Sequence, residues 1–536
     1  MKHLSTLLLL LCSTSLSAQD IFQRVFDCTF GHIEAIETTA GGTYVAYNIV
    51  DQEAFGYHNG VGIVKYGPDF QPIWNNVYMA PSPTEDVEVI DMTATMDGGL
   101  VFTGRRTELL NDTALVVKVN SNGQVAWALG LPSFLPPGSD VSSYAQASAV
   151  EEAPNGDLLV TGHYSYHTDD SYYRAFLARI SASGTALWTK SYVSTVDPEH
   201  LNYGYDVEPL SGGGLALLGW TGSEGAWLAR LQDDGTVLWS KHYSTTVGFD
   251  DMAPHRVFAT SGGFDIFLDT DLYSHNLACV MHTDGSGGLQ ASDLYKLPIG
   301  LGVMVDVLQK ADHGYALSLV TSMIEQGTYN TNAHLLVTDA SGVPTLSSSF
   351  GSPEYESAYA AAPTADGGYL VGGGASYENL DDHRGGIPPR PFLVKTNAQG
   401  DYTCGSPVVV TMADTALTSV DRALVVESIT GWASTTVTPI TWLVSVTVCG
   451  ITGVDEVEAA PFSVYPDPAS DVLNVVPADA GPWDHALLDA TGRVVLAQQH
   501  ATGRLQLDVS AIAPGRYVLR STSGPATRST AVLVVR

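Results

Sequence analysis

The feature that most constrains this chain is a turn glycine that returns at a near-constant interval. It stands at Gly42, Gly99, Gly156, Gly213, Gly263, Gly314 and Gly368, in steps of 57, 57, 57, 50, 51 and 54 residues. The stretch 210–244 shows the unit most clearly. Gly212-Gly213-Gly214 makes a tight turn, Leu215–Trp220 and Trp227–Leu231 are short apolar runs, Asp234-Gly235 is a second turn, and Val237–Tyr243 closes the copy. Short apolar runs punctuated by Gly and Asx-Gly signal strands and hairpins, because Gly supplies the positive φ that tight turns need. With one strand ahead of the first turn, each unit holds four short strands. The second turn recurs at Asn122-Gly123, Ser183-Gly184, Asp284-Gly285, Ser341-Gly342 and Gln399-Gly400, with Gly67-Pro68-Asp69 in the first copy. Trp127, Trp188 and Trp239 sit four residues past the turn glycine, and Trp74 matches them in the first copy. Seven four-stranded copies of about 50 residues predict an all-β, seven-bladed β-propeller over residues 19–405. Two stacked β-sandwiches would also supply short strands, but would leave four of the nine tryptophans in one column by coincidence.

The 536 residues leave room for a second domain. Met1-Lys2-His3, an apolar Leu7–Leu11 and a Ser-rich 13–18 read as a signal peptide over residues 1–18, cleaved after Ser17 or Ala18. Leu11 before Cys12 argues against lipidation. No later run reaches the ~18 apolar residues of a transmembrane segment, so an exported protein is expected. Four cysteines then remain. Cys404 and Cys449 are the expected disulfide. The rival is Cys28 with Cys404, the chain start 21–26 closing the ring beside the last blade. Cys279 is expected as a buried thiol in the third strand of blade five. The net charge of −33 lies almost wholly ahead of residue 451. Such a body repels nucleic acid and anionic membrane surfaces.

Antiparallel blades place their tight turns at one end of the ring and all long connections at the other. Those connections carry acids and aromatics. Tyr164, Tyr166, Asp169, Asp170, Tyr172 and Tyr173 in blade three, with Asp381 and Asp382 in blade seven, are the candidate ligand-binding residues. Tyrosine faces stack on sugar rings, and carboxylates grip sugar hydroxyls or calcium. Calcium is therefore the one cofactor considered, and no metal ligands are identified. A column of cations, Lys65, Lys118, Arg179, Arg230 and Lys395, is expected to form ion pairs between neighbouring blades. No nucleophile elbow, zinc motif, phosphate loop or EF-hand is present, and no catalytic residue is identified. An exported binding propeller that recognises polysaccharide or protein through its long-loop face is the leading reading. A carbohydrate-active hydrolase or lyase on that face, and a structural surface component, are the alternatives.

Residues 406–460 read as a strand-rich spacer and linker. Residues 461–536 read as a small β-sandwich, with alternating apolar runs and turns. Four motifs follow in order: Phe462–Pro468 (with Tyr465, Pro466, Asp467 and Pro468), Asp489–Arg493 with Gly492, Ile512–Tyr517 with Gly515 and Tyr517, and the basic end Ala531–Arg536. In these the chain resembles the C-terminal sorting domain of the type IX secretion system of Bacteroidota. Asp467 replaces the family's usual Asn and can serve the same Asx turn, and Ile512-Ala513 replaces the usual Leu-Ala. The resemblance implies passage through the type IX machinery, and release or attachment at the outer-membrane surface. The body is similar to propeller-like repeats of surface proteins, through Asp97-Gly98-Gly99, Asp366-Gly367-Gly368 and Leu393-Val394-Lys395.

Overall fold

The computed structural model describes residues 22–448 and 462–535 apart from connecting segments, the longest being 133–143 and 377–389. The expected signal peptide, 1–18, and Cys28, Cys404 and Cys449 lie outside the described residues. Two units are present, 1–450 and 451–536.

The first unit is a seven-bladed propeller. Blade one is Phe30–Thr39, Gly42–Asp51, His58–Tyr66 and Pro72–Met79, paired antiparallel in chain order. The pattern repeats through blade six. Blade seven supplies only Tyr355–Pro363, Tyr369–Ser376 and Arg390–Lys395 from its own stretch, and Phe22–Phe26 becomes its fourth strand, with Phe22 opposite Lys395. The chain start thus closes the ring. Seven apolar clusters fill the seven seams between neighbouring blades, the last joining Leu370 and Leu393 of blade seven to Ile33 and Val45 of blade one.

The repeated residues explain the period. Trp74 and Trp127 each donate an Nε1–H to a carbonyl of the next blade's second turn, Ser121 and Ala182, both at 3.0 Å. Their rings lie against the turn glycine of that blade. A Cβ at Gly184 would meet Trp127 at 2.7 Å, and its φ is +81°. A tyrosine four residues beyond the Trp position completes the seam. Tyr78, Tyr192, Tyr243 and Tyr295 donate their hydroxyls to the carbonyls of Gly123, Gly235, Gly287 and Gly342 at 2.8–2.9 Å. In blade five the turn glycine is therefore Gly287, not Gly285. Gly184→Ala combines left-handed strain with overpacking, and is expected to cost roughly 2–4 kcal/mol, read as a lower urea midpoint.

The cation column differs from expectation. Lys118 pairs with Asp97 at 2.7 Å, Arg179 with Asp157 at 2.8 Å and Lys395 with Asp366 at 2.7 Å, all within one blade. Each of these acids belongs to the first turn. Asp97 and Asp366 also accept from the turn's own backbone, Gly99 N and Gly368 N. Arg230 binds backbone carbonyls of Gly213 and Leu231, and Lys65 sits over the Tyr44 ring. The third strand faces its own turn, so these ion pairs brace hairpins, while Arg179 also donates to Asp233 O of the next blade at 3.3 Å and Lys395 lies over the Phe70 ring of blade one at 5.5 Å.

Residues 406–448 are not a spacer. Seven short strands, from Ser406–Pro407 to Val446–Val448, pair in turn with the outermost strands of blades six, five, four, three, two, one and seven. The segment is a belt that gives every blade a fifth strand. Its last strand pairs with Phe22–Phe26, so the closing strand has a neighbour on both sides. Cys279 is a buried free thiol in the third strand of blade five, as expected.

The second unit is a β-sandwich. One sheet holds Phe462–Tyr465, Val472–Pro477 and Leu505–Asp508; the other holds Val494–Ala501, Trp483–Leu488, Gly515–Ser523 and Ala526–Val534. Leu473, Val475, Leu487, Leu519 and Val532 form its core. The Tyr517 hydroxyl donates to Ala513 O at 2.7 Å. Tyr465 is opposite Asn474, and Gly515 opens a strand. Pro466, Asp467, Pro468 and Gly492 lie outside the described residues.

Candidate functional site: the axial cavity

The innermost strand of every blade carries one β-bulge at the same place. The bulged residues are Glu34, Ile90, Ser148, Tyr205, His255, Val305 and Tyr359. A bulge inserts one extra residue and re-aims its side chain. All seven line one cavity of 540 Å³ on the ring axis, within the usual size of small-ligand sites. Its lining comes from the half of each inner strand that follows the long connections, so it occupies the long-loop end.

One wall is aromatic. Tyr144 stacks on His163 with centroids 5.3 Å apart, Tyr173 stacks on Tyr203 at 5.4 Å, and the His163 and Tyr203 rings meet edge to face at 4.3 Å. Burial, with Arg105 nearby, pushes the His163 imidazole down to about 3, so it stays neutral. Blade one adds a single carboxylate to the lining. Glu34 accepts from Asn48 Nδ2 at 3.1 Å and pairs with His32 Nε2. Burial opposes the charge on His32, but Glu34 and Glu88 outweigh it and hold His32 above its ordinary value.

The residue after the bulge forms a deeper tier. Arg256 of blade five donates to Asp91 of blade two at 2.7 Å, Asp206 of blade four at 3.3 Å and Asp306 of blade six at 3.2 Å. A side chain that reaches three other blades crosses the axis and floors the cavity. Asp91 and Asp206 also accept a backbone N–H of the following blade, Val150 N at 2.9 Å and Val257 N at 2.8 Å. Burial raises Asp206 and Asp306 although Arg256 works against it. Among the described residues no group of three or more metal-ligating side chains is arranged to hold an ion.

Among the described residues singled out from sequence, Tyr173 lines this cavity, and Tyr164 and Tyr172 do not. Tyr164 is a correction. It is 2% exposed and packs in the core between blades two and three, because its strand position faces the seam. Tyr172 is half-buried beside Tyr173. Tyr166, Asp169, Asp170, Asp381 and Asp382 lie outside the described residues. Sequence reasoning missed the bulged column, although each member stands eight or nine residues ahead of the first-turn position, eight from Glu34 to Gly42 and nine from Ile90 to Gly99.

Residues 463–536 match the family described as the secretion system C-terminal sorting domain. That domain marks the protein for type IX export to the cell surface or extracellular space, through contact with the secretion machinery. No curated protein matches the chain. Among solved structures, the chain is similar to the dihydro-heme d1 dehydrogenase NirN in complex with DHE (14% identity, 63% of this chain and 72% of that one, TM-score 0.34). It is also similar to an uncomplexed acylaminoacyl peptidase of Pyrococcus horikoshii (10% identity, 70% and 53%, TM-score 0.35). A third similar structure is PorZ, a surface component of the type IX secretion system of Porphyromonas gingivalis (10% identity, 96% and 100%, TM-score 0.20). No helix among the described residues is long and apolar enough to cross a membrane.

Proposed function

We propose that this protein, exported from a member of the Bacteroidota, is a binding propeller that recognises an extracellular polysaccharide or protein in its axial cavity. The observation that supports this is the sevenfold bulge. A purely structural ring has no need to turn seven non-matching side chains into one cavity, whereas a site built on rigid strands gains precision from it. A hydrolase needs a protonated carboxyl beside an ionised one. The carboxylates on the cavity are Glu34, Asp91 and Asp306, and the two aspartates are held by Arg256, which favours binding over catalysis.

The test is a screen of the full chain against glycan and peptide arrays, in calcium and again in chelator. Calcium dependence would assign the acidic long loops a share in binding. Tyr203→Ala removes the ring that joins both halves of the aromatic wall, and is expected to weaken any bound ligand at least tenfold by titration calorimetry. An unchanged affinity would move the site off the axis. Release of reducing ends from a polysaccharide would replace binding with hydrolysis.

A further inference from the structure

We propose that the axial cavity takes the free end of an uncharged glycan chain, inserted along the ring axis. The proposal rests on the reading of this cavity as the ligand site, and it adds two things: the ligand's chemistry and its direction of entry.

Entry follows from the ring. The cavity is bounded by the innermost strands of all seven blades, and those strands neighbour one another around the whole circle. A long polymer therefore has no side opening through which to lie across the site. Arg256 and its three aspartates cross the axis at the inner end, so a chain cannot thread through. What remains is entry from the long-loop end, and a polymer can present only a terminus there.

Chemistry follows from which polar groups are already engaged. Glu34 accepts from His32 and Asn48, Asp91 from Arg256 and Val150 N, and Asp306 from Arg256. Arg256 donates to three carboxylates and has no fork left for an anion. Carboxylates on the lining also repel uronic or sulfated sugars. Glu34 takes both of its bonds on Oε1, which leaves Oε2 as the one charged acceptor on blade one; the neutral unengaged groups lie together on blades three and four. Among the described residues the hydroxyls of Ser148, Tyr203 and Tyr205, the Gln146 side-chain NH2 and both nitrogens of His163 have no protein partner. Hydroxyls and amides beside aromatic rings complement a pyranose, which offers hydroxyls on its rim and apolar C–H faces for stacking. An ammonium ligand would instead be drawn to the carboxylates, of which Asp91 and Asp306 are already occupied by Arg256.

The experiment uses the full-length protein. Neutral oligosaccharide hexamers, their amino- and carboxylate-bearing counterparts, and lysine- and arginine-rich peptides are titrated by calorimetry. The binding hexamer's parent polysaccharide is then cut progressively by mild acid, and competition per gram is measured against average chain length. A neutral hexamer is expected to bind, with competition per gram rising in proportion to the number of chain ends. Ser148→Ala and Tyr203→Phe, which remove one hydroxyl each, are expected to weaken binding about five- to tenfold with an unchanged melting temperature. Competition that depends on mass and not on chain ends overturns end-on entry. Binding confined to charged sugars or basic peptides overturns the neutral glycan and leaves the binding role standing. Silence from every probe overturns both.

Discussion

Replacing Arg256 with methionine is expected to destabilise the propeller by about 3–5 kcal/mol, the range found when one partner of a buried charge network is removed. The reason is the company it keeps. Asp91, Asp206 and Asp306 converge on one guanidinium, and each is buried or nearly so. Without the cation, three carboxylates would face one another across the axis. Two of them also clamp the next blade through Val150 N and Val257 N, so repulsion would act directly on seams. The four seam tryptophans give a fluorescence reading of unfolding by urea. Arg256→Lys is expected to recover only part of the loss, because an ammonium cannot fork to three carboxylates from one position. Adding Asp91→Asn to Arg256→Met is expected to return part of the stability. An unchanged midpoint in Arg256→Met would mean that water already screens the tier.

The blade count was legible in the sequence because it is carried by residue identity. A positive-φ turn against a packed ring admits little but glycine, so Gly123, Gly184 and Gly235 mark the period wherever the seam tryptophan or tyrosine sits over them. The sandwich was legible for a similar reason, through Tyr517 and the strand endings of 461–536. The belt was not. Its strands are two to five residues long, and they are held by backbone pairing to existing edges, which asks little of side-chain type. The axial site was hidden by the opposite circumstance. Its seven members share a position and a bulge but no chemistry, since Glu34, Ile90, Ser148, Tyr205, His255, Val305 and Tyr359 have no common type. Only strand order distinguishes the inner strand as the one that matters. Tyr164 and Tyr173 illustrate the limit at finer scale. Both sit at the long-loop end of blade three, yet one faces a seam and the other the axis, a difference fixed by register.

Stability is expected to fall as pH rises from about 6.5 to 8.5. Below the Arg256 tier, burial raises Glu37 and Glu208 to about 8, with Asp91 and Asp206 respectively adding to the effect, and raises Glu151 well above its usual range. These groups keep a proton in the folded ring that the unfolded chain gives up near 4.5. A carboxyl raised by folding contributes stability that is complete below its unfolded value and is lost as pH climbs through its folded value. Each can add up to about 1.4 kcal/mol per pH unit of slope within that window. Histidines complicate the lower half. Burial lowers His163 to about 3 and His334 to about 4, and their contribution is complete above 6.5 and lost as pH falls toward those values. His282, held up chiefly by its hydrogen bond to Asp265, acts in the glutamates' direction. Asp97, against the cost of burial, is held down to about 2 by Lys118, and its contribution fades only in acid. Between 6.5 and 8.5 the raised groups therefore act without opposition from these. Thermal melting across that interval is expected to shift downward in the native chain. In a Glu37→Gln, Glu151→Gln, Glu208→Gln variant the slope is expected to flatten, because an amide keeps the shape and needs no proton. A native melting temperature that is constant over the interval would show that these glutamates are ionised in the folded ring, with counter-charge or water reaching the axis from its tight-turn end.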